Sequence, residues 1–235
     1  MRHEVRNVLI IGNSDGIGLE LTQTLLDQGY QVTGISKRES VLSHPQYCHF
    51  VQDVTQPQYR PLLMQILNAK TPLHLCVYCA GIGGPFQSEN LGFETHVFQV
   101  NLLSAAVTTE LVIEKMLRQN QGHFIGLSSI ADSITSAEAP SYSASKAGIS
   151  KYWEGLGLAL SSKNVKISNI RFGFVDTKMA KSSIKPWLLS RKEAVQFILK
   201  IIEHPRLRAT KPIPIAVISW LLNLFIQFKI RFLMH

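Results

Sequence analysis

Tyr142 and Lys146 stand four residues apart in the run Ser141-Tyr142-Ser143-Ala144-Ser145-Lys146. In a helix that spacing puts both side chains on one face. A nearby ammonium favours phenolate, so Lys146 is expected to lower the Tyr142 pKa. A phenol tuned toward neutral pH can act as a general acid or base. The pair is also common on solvated helices, and its meaning depends on what accompanies it.

Its first companion is a glycine-rich turn. Val8-Leu9-Ile10-Ile11 is a short apolar run that reads as a buried parallel strand. Gly12-Asn13-Ser14-Asp15-Gly16-Ile17-Gly18 follows, and Leu19 to Gln28 has helical periodicity. Strand, turn and helix make a phosphate cradle, because glycines admit a close ligand and the helix N-terminus offers free N–H groups.

The elements that must position these groups alternate. Strands are expected near residues 6–11, 31–36, 47–51, 73–79, 122–128 and 165–171, with a seventh near Ala209–Ile213. Helices fall between them, the two long central ones at Val97 to Leu117 and Tyr142 to Leu160. This order predicts an α/β fold, a doubly wound, mainly parallel sheet of Rossmann type in three α/β/α layers. The 235 residues suit a single dinucleotide-binding and catalytic domain, 1–235, with a sizeable core.

With these motifs in order, the chain resembles the short-chain dehydrogenase/reductase family over about residues 7 to 180. Gly12, Gly16 and Gly18 match its dinucleotide turn, with Ser14 and Ile17 inside it, and Asp53-Val54 its adenine-side motif. Cys79-Ala80-Gly81 stands where the family has Asn-Ala-Gly. Asn101 matches its active-site asparagine and Ser129, thirteen residues before Tyr142, its catalytic serine. Gly173, Val175 and Thr177 resemble its Pro-Gly-x-Val-x-Thr segment. The resemblance implies a nicotinamide cofactor held by these residues and a hydride exchanged with a carbonyl or alcohol. Tyr142 would move the proton, Ser129 would bind the substrate oxygen, and Lys146 would hold the nicotinamide ribose. Asn101 would hold a water relaying protons to Lys146. It also implies a homodimer or homotetramer through the two central helices; the small residues Ala144, Ala147, Gly148, Gly155, Gly157 and Ala159 equally suit packing on the sheet.

Cofactor choice turns on the end of the second strand. An acidic residue there would hold the two ribose hydroxyls of NAD and repel a 2′-phosphate. The chain instead has Ser36-Lys37-Arg38, a hydroxyl and two cations that suit a phosphate. NADP(H) is therefore favoured, with NAD(H) left open. Asp15 is discordant, since a carboxylate facing the adenosine would weaken that preference.

Three positions depart from the family pattern: Ile11 for threonine, Cys79 for asparagine, and Phe172 for proline. These bear on loop bracing and cofactor affinity rather than proton transfer. Cys76-Val77-Tyr78-Cys79 is not expected to bind metal, because residues three apart on a strand face opposite ways. The three cysteines imply no disulfide framework, and Met1-Arg2-His3-Glu4 has no apolar stretch, so a cytoplasmic protein is expected.

Lys178 to Leu189 should be the substrate loop. Its Met179, Ile184, Trp187, Leu188 and Leu189 suggest an apolar substrate, and Ser190-Arg191-Lys192-Glu193 resembles a capping box that starts the next helix. The last segment, 211–235, is strongly apolar from Ile213 to Phe228, interrupted by Asn223 and Gln227, and flanked by Lys211, Lys229 and Arg231. It is short of the ~20 residues that span a bilayer. A membrane-surface helix, a cover for the pocket and a subunit contact are the readings it allows. The formal net charge of +8 would aid binding to anionic lipid. That charge is dispersed and accompanies no nucleic-acid-binding motif. A catalytically silent NADP(H)-binding sensor or scaffold is the alternative on the same fold.

Overall fold

The computed structural model describes residues 6–68, 71–179 and 185–230. Seven strands form one sheet in the order β3-β2-β1-β4-β5-β6-β7. They are β1 (Asn7–Ile11), β2 (Gln31–Ser36), β3 (Tyr47–Val51), β4 (Leu75–Tyr78), β5 (Gly122–Ser129), β6 (Val165–Phe172) and β7 (Arg208–Lys211). Every neighbouring pair is parallel. The helices are α1 (Gly16–Asp27), α2 (Tyr59–Leu67), α3 (Leu91–Phe98), α4 (Ser104–Arg118), α5 (Pro140–Ala159), α6 (Arg191–Glu203) and α7 (Ile213–Ile230).

Strand alternation splits the core into two layers. Val8, Ile10, Leu75, Val77, Ile125, Leu127 and Ile170 pack on one face with α1 and α6. Leu9, Ile11, Cys76, Tyr78, Phe124 and Ile167 pack on the other with α2, α4 and α5. Burial on both faces explains why these strands read as continuous apolar runs. Cys76 and Cys79 fall on opposite layers, and both thiols are free. Among the described residues no group of three or more His, Cys, Asp or Glu side chains could hold a metal.

The chain direction across the sheet reverses between β1 and β4, where Ile11 pairs with Tyr78. In such sheets that point opens the crevice that receives ligand at the carboxyl ends of the strands. The expected strand near Ala209–Ile213 is Arg208–Lys211, and Ile213 begins α7 instead. The central helix expected over Val97 to Leu117 is α3 and α4 joined by a π-helical turn, Gln99–Leu103. Periodicity alone does not reveal that one inserted residue.

After β5 a 3₁₀ turn, Ile130–Ser133, carries Asp132 into the interior. Arg171 of β6 forms a buried ion pair with it, Nε donating to Oδ2 at 2.7 Å and Nη2 to Oδ1. Ser150 of α5 donates to the same Oδ2 at 2.7 Å. The carboxylate thus ties β5, β6 and α5 directly behind Ser129. Breaking a buried pair leaves one uncompensated charge. Arg171→Met should therefore cost about 3–5 kcal/mol in urea unfolding, while adding Asp132→Leu should recover most of it. Equal stabilities for the single variant and the parent would show that the pair does not brace the sheet.

Candidate active site

α5 lies across the sheet because Gly126 has no side chain. A Cβ there would fall 2.2 Å from the Trp153 ring. Trp153 is buried against Phe124 and Tyr78 and donates its indole N–H to Thr109 Oγ1 at 2.9 Å. Two turns earlier, the same docking brings Lys146 over β5, where its Nζ donates to the Leu127 carbonyl at 2.9 Å. The helix starts on Pro140, and Glu94 of α3 accepts from the Ser141 N–H at 3.1 Å.

Alternation along β5 then separates its two serines. Ser128 turns into α5, 2.6 Å from Ser150 Oγ. Ser129 turns into the crevice, accepts from Ala131 N at 3.2 Å and lies close enough to the Tyr142 phenol to act on its pKa. The structure thus brings Ser129, Tyr142 and Lys146 together at one strand end. Burial pushes the Tyr142 phenol above its usual pKa, the Ser129 hydroxyl acts in the opposite direction, and the Asp132 charge adds to the rise. The expectation that Lys146 lowers it is corrected here. Lys146 Nζ is 5.9 Å from the ring centroid and engages a carbonyl instead. Burial also pushes Lys146 itself down to about 8, so it keeps most of its charge at neutral pH and loses it in mildly alkaline solution.

Asn101 sits in the π-helical turn, almost fully buried. Its Oδ1 accepts from Ile82 N at 2.9 Å, and its Nδ2 donates to Ile82 O at 2.8 Å and Ser145 Oγ at 3.1 Å. This amide pins the segment after β4 to α5. That segment needs Gly83, where a Cβ would be 2.8 Å from the Tyr142 ring; one on Gly81 would make ordinary contact, 3.4 Å from Asn101 Oδ1 and 3.7 Å from Lys146 Nζ. Gly83 and Ser145 carry no sequence signal of their own; only the fold shows that they shape the site.

The glycine turn fits a dinucleotide by shape. A Cβ on Gly12 would strike Ala80 N at 2.6 Å, and one on Gly18 would strike Gly12 O at 2.1 Å, so the turn is as close to its neighbours as backbone allows. Gly16 has φ 57°, a region that favours glycine. Ser14 lies in the same turn, and Ile17 packs beneath it on the α1 layer. Thr177 reaches over Gly16 from the far side of the crevice, its Cγ2 3.3 Å from where a Cβ would stand. Gly173 is closed in by Pro212 and Ile215, while Val175 is buried and bridges Leu189. The expected substrate loop is closed at its base by Asp176 N to Leu189 O, 2.8 Å, and Leu189 N to Phe174 O, 2.9 Å. Met179 reaches Gly81; Ile184 and the rest of 180–184 lie outside the described residues.

The adenosine end is less simple than its sequence. Ser36 is buried and donates to the Arg38 carbonyl at 3.0 Å, whereas Lys37 and Arg38 are exposed. Asp15 caps α1, accepting from Gly16 N at 2.8 Å, and pairs with Lys178 at 2.8 Å and Arg38 at 3.2 Å. The Lys178 bond holds its carboxyl below the usual range against the effect of burial. Asp53 turns its Oδ1 onto Thr55, N at 2.9 Å and Oγ1 at 2.8 Å, and Val54 packs on the α4 layer. A further network was invisible in the sequence. Buried Asn13 donates to Tyr47 Oη and lies 3.3 Å from His49 Nδ1, while His49 Nε2 is 3.0 Å from Arg38 O. It links the glycine turn to the basic loop through β3.

A family profile described as short chain dehydrogenase matches residues 6–186. The chain belongs to the short-chain dehydrogenase/reductase family. An uncharacterized oxidoreductase of Myxococcus xanthus is 28% identical over 226 residues, covering 90% of this chain and 89% of that one. A 3-oxoacyl-acyl-carrier-protein reductase of Vibrio cholerae is 25% identical, covering 77% and 78%. Among solved structures, a short chain dehydrogenase of Burkholderia cenocepacia in complex with NADP superposes with TM-score 0.79 at 20% identity, over 89% of each chain. One from Streptomyces avermitilis superposes with TM-score 0.82 at 18%, over 94% of this chain and 93% of that one. These likenesses establish the doubly wound fold.

As a short-chain dehydrogenase/reductase, the chain absorbs its unusual residues locally. Ile11 is fully buried in the apolar layer. Cys79 keeps a backbone tie to β1, its N–H donating to Ile11 O at 2.8 Å, and burial pushes its thiol up to about 12 despite the pull of Lys146. Phe172 packs edge-on against Phe197, ring centres 6.0 Å apart. The Lys146 shift has a measurable sign. Its ordinary value is 10.5 and its folded value about 8, so between them the unfolded chain holds a proton that the folded chain has lost. Stability from this group therefore rises with pH across that window. Urea unfolding at pH 7.5 and pH 10 should show the parent gaining stability relative to Lys146→Met. A pH-independent gap would mean that Lys146 stays charged when folded.

Proposed function

We propose that this oxidoreductase reduces the carbonyl group of an apolar compound with NADPH. The observation that carries the reading is the approach of Ser129 to the Tyr142 phenol at one strand end, with Tyr142 against Gly83 and buried Lys146 and Asn101 beside Gly81. This arrangement lies beside a glycine turn at the reversal point of the sheet. The bound nicotinamide supplies the hydride. Tyr142 donates the proton to the substrate oxygen, and Ser129 hydrogen-bonds that oxygen as charge develops on it. The raised Tyr142 pKa keeps the phenol protonated at neutral pH, which suits a donor and so the reductive direction. Lys146 holds the nicotinamide ribose, and Asn101 steadies the wall that Lys146 shares and orders a water for proton relay.

Gly12, Ser14, Gly16, Ile17, Gly18, Ala80, Gly81, Val175 and Thr177 line the dinucleotide, with Asp53 and Val54 at its adenine end. Lys37 and Arg38 meet the 2′-phosphate, and no carboxylate stands at the end of β2 to oppose it. NADP in the Burkholderia cenocepacia structure is consistent with that choice. Asp15 works against it by engaging Arg38. Met179 and Trp187 supply an apolar wall for the substrate. We place the protein in the cytoplasm as a homodimer or homotetramer. Its contact is the outer face of α5, where Gly155 faces open space and Tyr152 and Leu158 are exposed. A silent sensor would have no need of a proton donor in the crevice.

Two measurements test this reading. On a panel of apolar ketones and aldehydes, Tyr142→Phe should lower kcat about 10²–10⁴-fold with NADPH still bound; unchanged turnover would remove Tyr142 from the chemistry. NADPH should bind more tightly than NADH, and Lys37→Glu should weaken NADPH about tenfold or more while sparing NADH, as expected for loss of a charged hydrogen bond. Equal losses for both cofactors would mean that Lys37 does not read the 2′-phosphate.

A further inference from the structure

α7 is inside out. Ser219, Asn223 and Gln227 recur every four residues and so form one stripe. In a helix facing water that stripe would point outward. Here it faces the domain. Ser219 is buried, Asn223 Oδ1 accepts from Thr135 N at 3.0 Å, and Gln227 Nε2 donates to Thr135 Oγ1 at 2.9 Å. The polar residues that interrupt the apolar run in the sequence are therefore turned away from solvent. Ile213, Val217, Trp220, Leu221, Leu224 and Phe225 are each more than half exposed. At 100° per residue the outward apolar arc from Trp220 round to Leu222 covers about 200°. Pairing with one other helix uses a much narrower seam, of the order of 100°. An apolar phase wets the whole arc.

We infer that α7 lies in the surface of an anionic lipid bilayer with this arc immersed. The charge distribution selects the lipid. A groove of about 920 Å³ runs between α6, β7 and α7, and exposed Ile213, Val217 and Trp220 share it with Lys200 and Arg206. Among the described residues Glu203 is the one carboxylate along it. Lys211 precedes the helix and Lys229 lies in its last turn. Cations beside an apolar arc match acidic headgroups above acyl chains. The eighteen residues of α7 extend about 27 Å, and packing of Ile215 and Ser219 on the domain holds the helix along the surface. Thr135 and the turn that α7 packs on follow directly from Ser129, so the immersed helix places the mouth of the site at the lipid boundary. An apolar substrate could then enter from the membrane. The docking itself is independent of the catalytic reading.

The test is flotation of the purified full-length protein with phosphatidylcholine vesicles and with vesicles enriched in phosphatidylglycerol. Recovery with the anionic vesicles is expected, reduced by high salt. Leu221→Asp with Leu224→Asp should lower the bound fraction at least about tenfold, because charge is costly among acyl chains. Lys200→Glu with Arg206→Glu should also lower it. Far-UV circular dichroism, unchanged in both variants, reports the fold without cofactor or turnover. Absence of binding to anionic vesicles would overturn the inference. So would a lipid-free oligomer that Leu221→Asp with Leu224→Asp dissociates, since a second copy of the chain would then cover the arc. Failure of the reductase reading would appear instead in the cofactor titration, which no vesicle enters.

Discussion

The contact of Trp153 with Gly126 sets the position of everything that acts in this molecule. With no Cβ at Gly126, the indole drops onto β5 and fixes the height and rotation of α5. From that one contact follow the place of Lys146 over Leu127 O and the approach of Tyr142 to Ser129. Asp132 secures the arrangement from behind, because Arg171 and Ser150 reach it from β6 and α5. A buried carboxylate with two partners on different elements specifies one geometry. Loss of either brace would disturb the hydroxyl pair without touching it.

Burial also decides the chemistry of the site. In water, a lysine beside a tyrosine would lower the phenol's pKa. Here desolvation dominates both groups and moves them in opposite directions, Tyr142 up and Lys146 down to about 8. Burial shifts both toward their neutral forms, which leaves the phenol protonated and the Lys146 ammonium charged at neutral pH. At the other end of the crevice, charges remain near water. Asp15 holds Lys178 and Arg38 together across the glycine turn, so a phosphate entering there must compete with a carboxylate for its cations. The network from Asn13 through Tyr47 and His49 to Arg38 O couples that basic loop to the turn.

The sequence by itself determined the fold class and the parallel sheet, and it singled out the candidate chemistry-bearing groups, because these rest on local pattern. Strand alternation, glycine spacing and the order of Gly12, Asn101, Ser129, Tyr142 and Lys146 are properties of a line of residues. Element ends were legible to within a few residues, as with β5 and β6. What required tertiary structure was every quantity set by distant neighbours. The π-helical turn around Asn101, the direction of the Tyr142 shift, and the pairing of Asp15 with Lys178, 163 residues away, depend on contacts that no local window contains. The outward face of α7 belongs with them. Asn223 and Gln227 look in the sequence like interruptions of an apolar surface, and only their bonds to Thr135 show which side of the helix they occupy. Local spacing says which residues share a face; packing decides what that face meets.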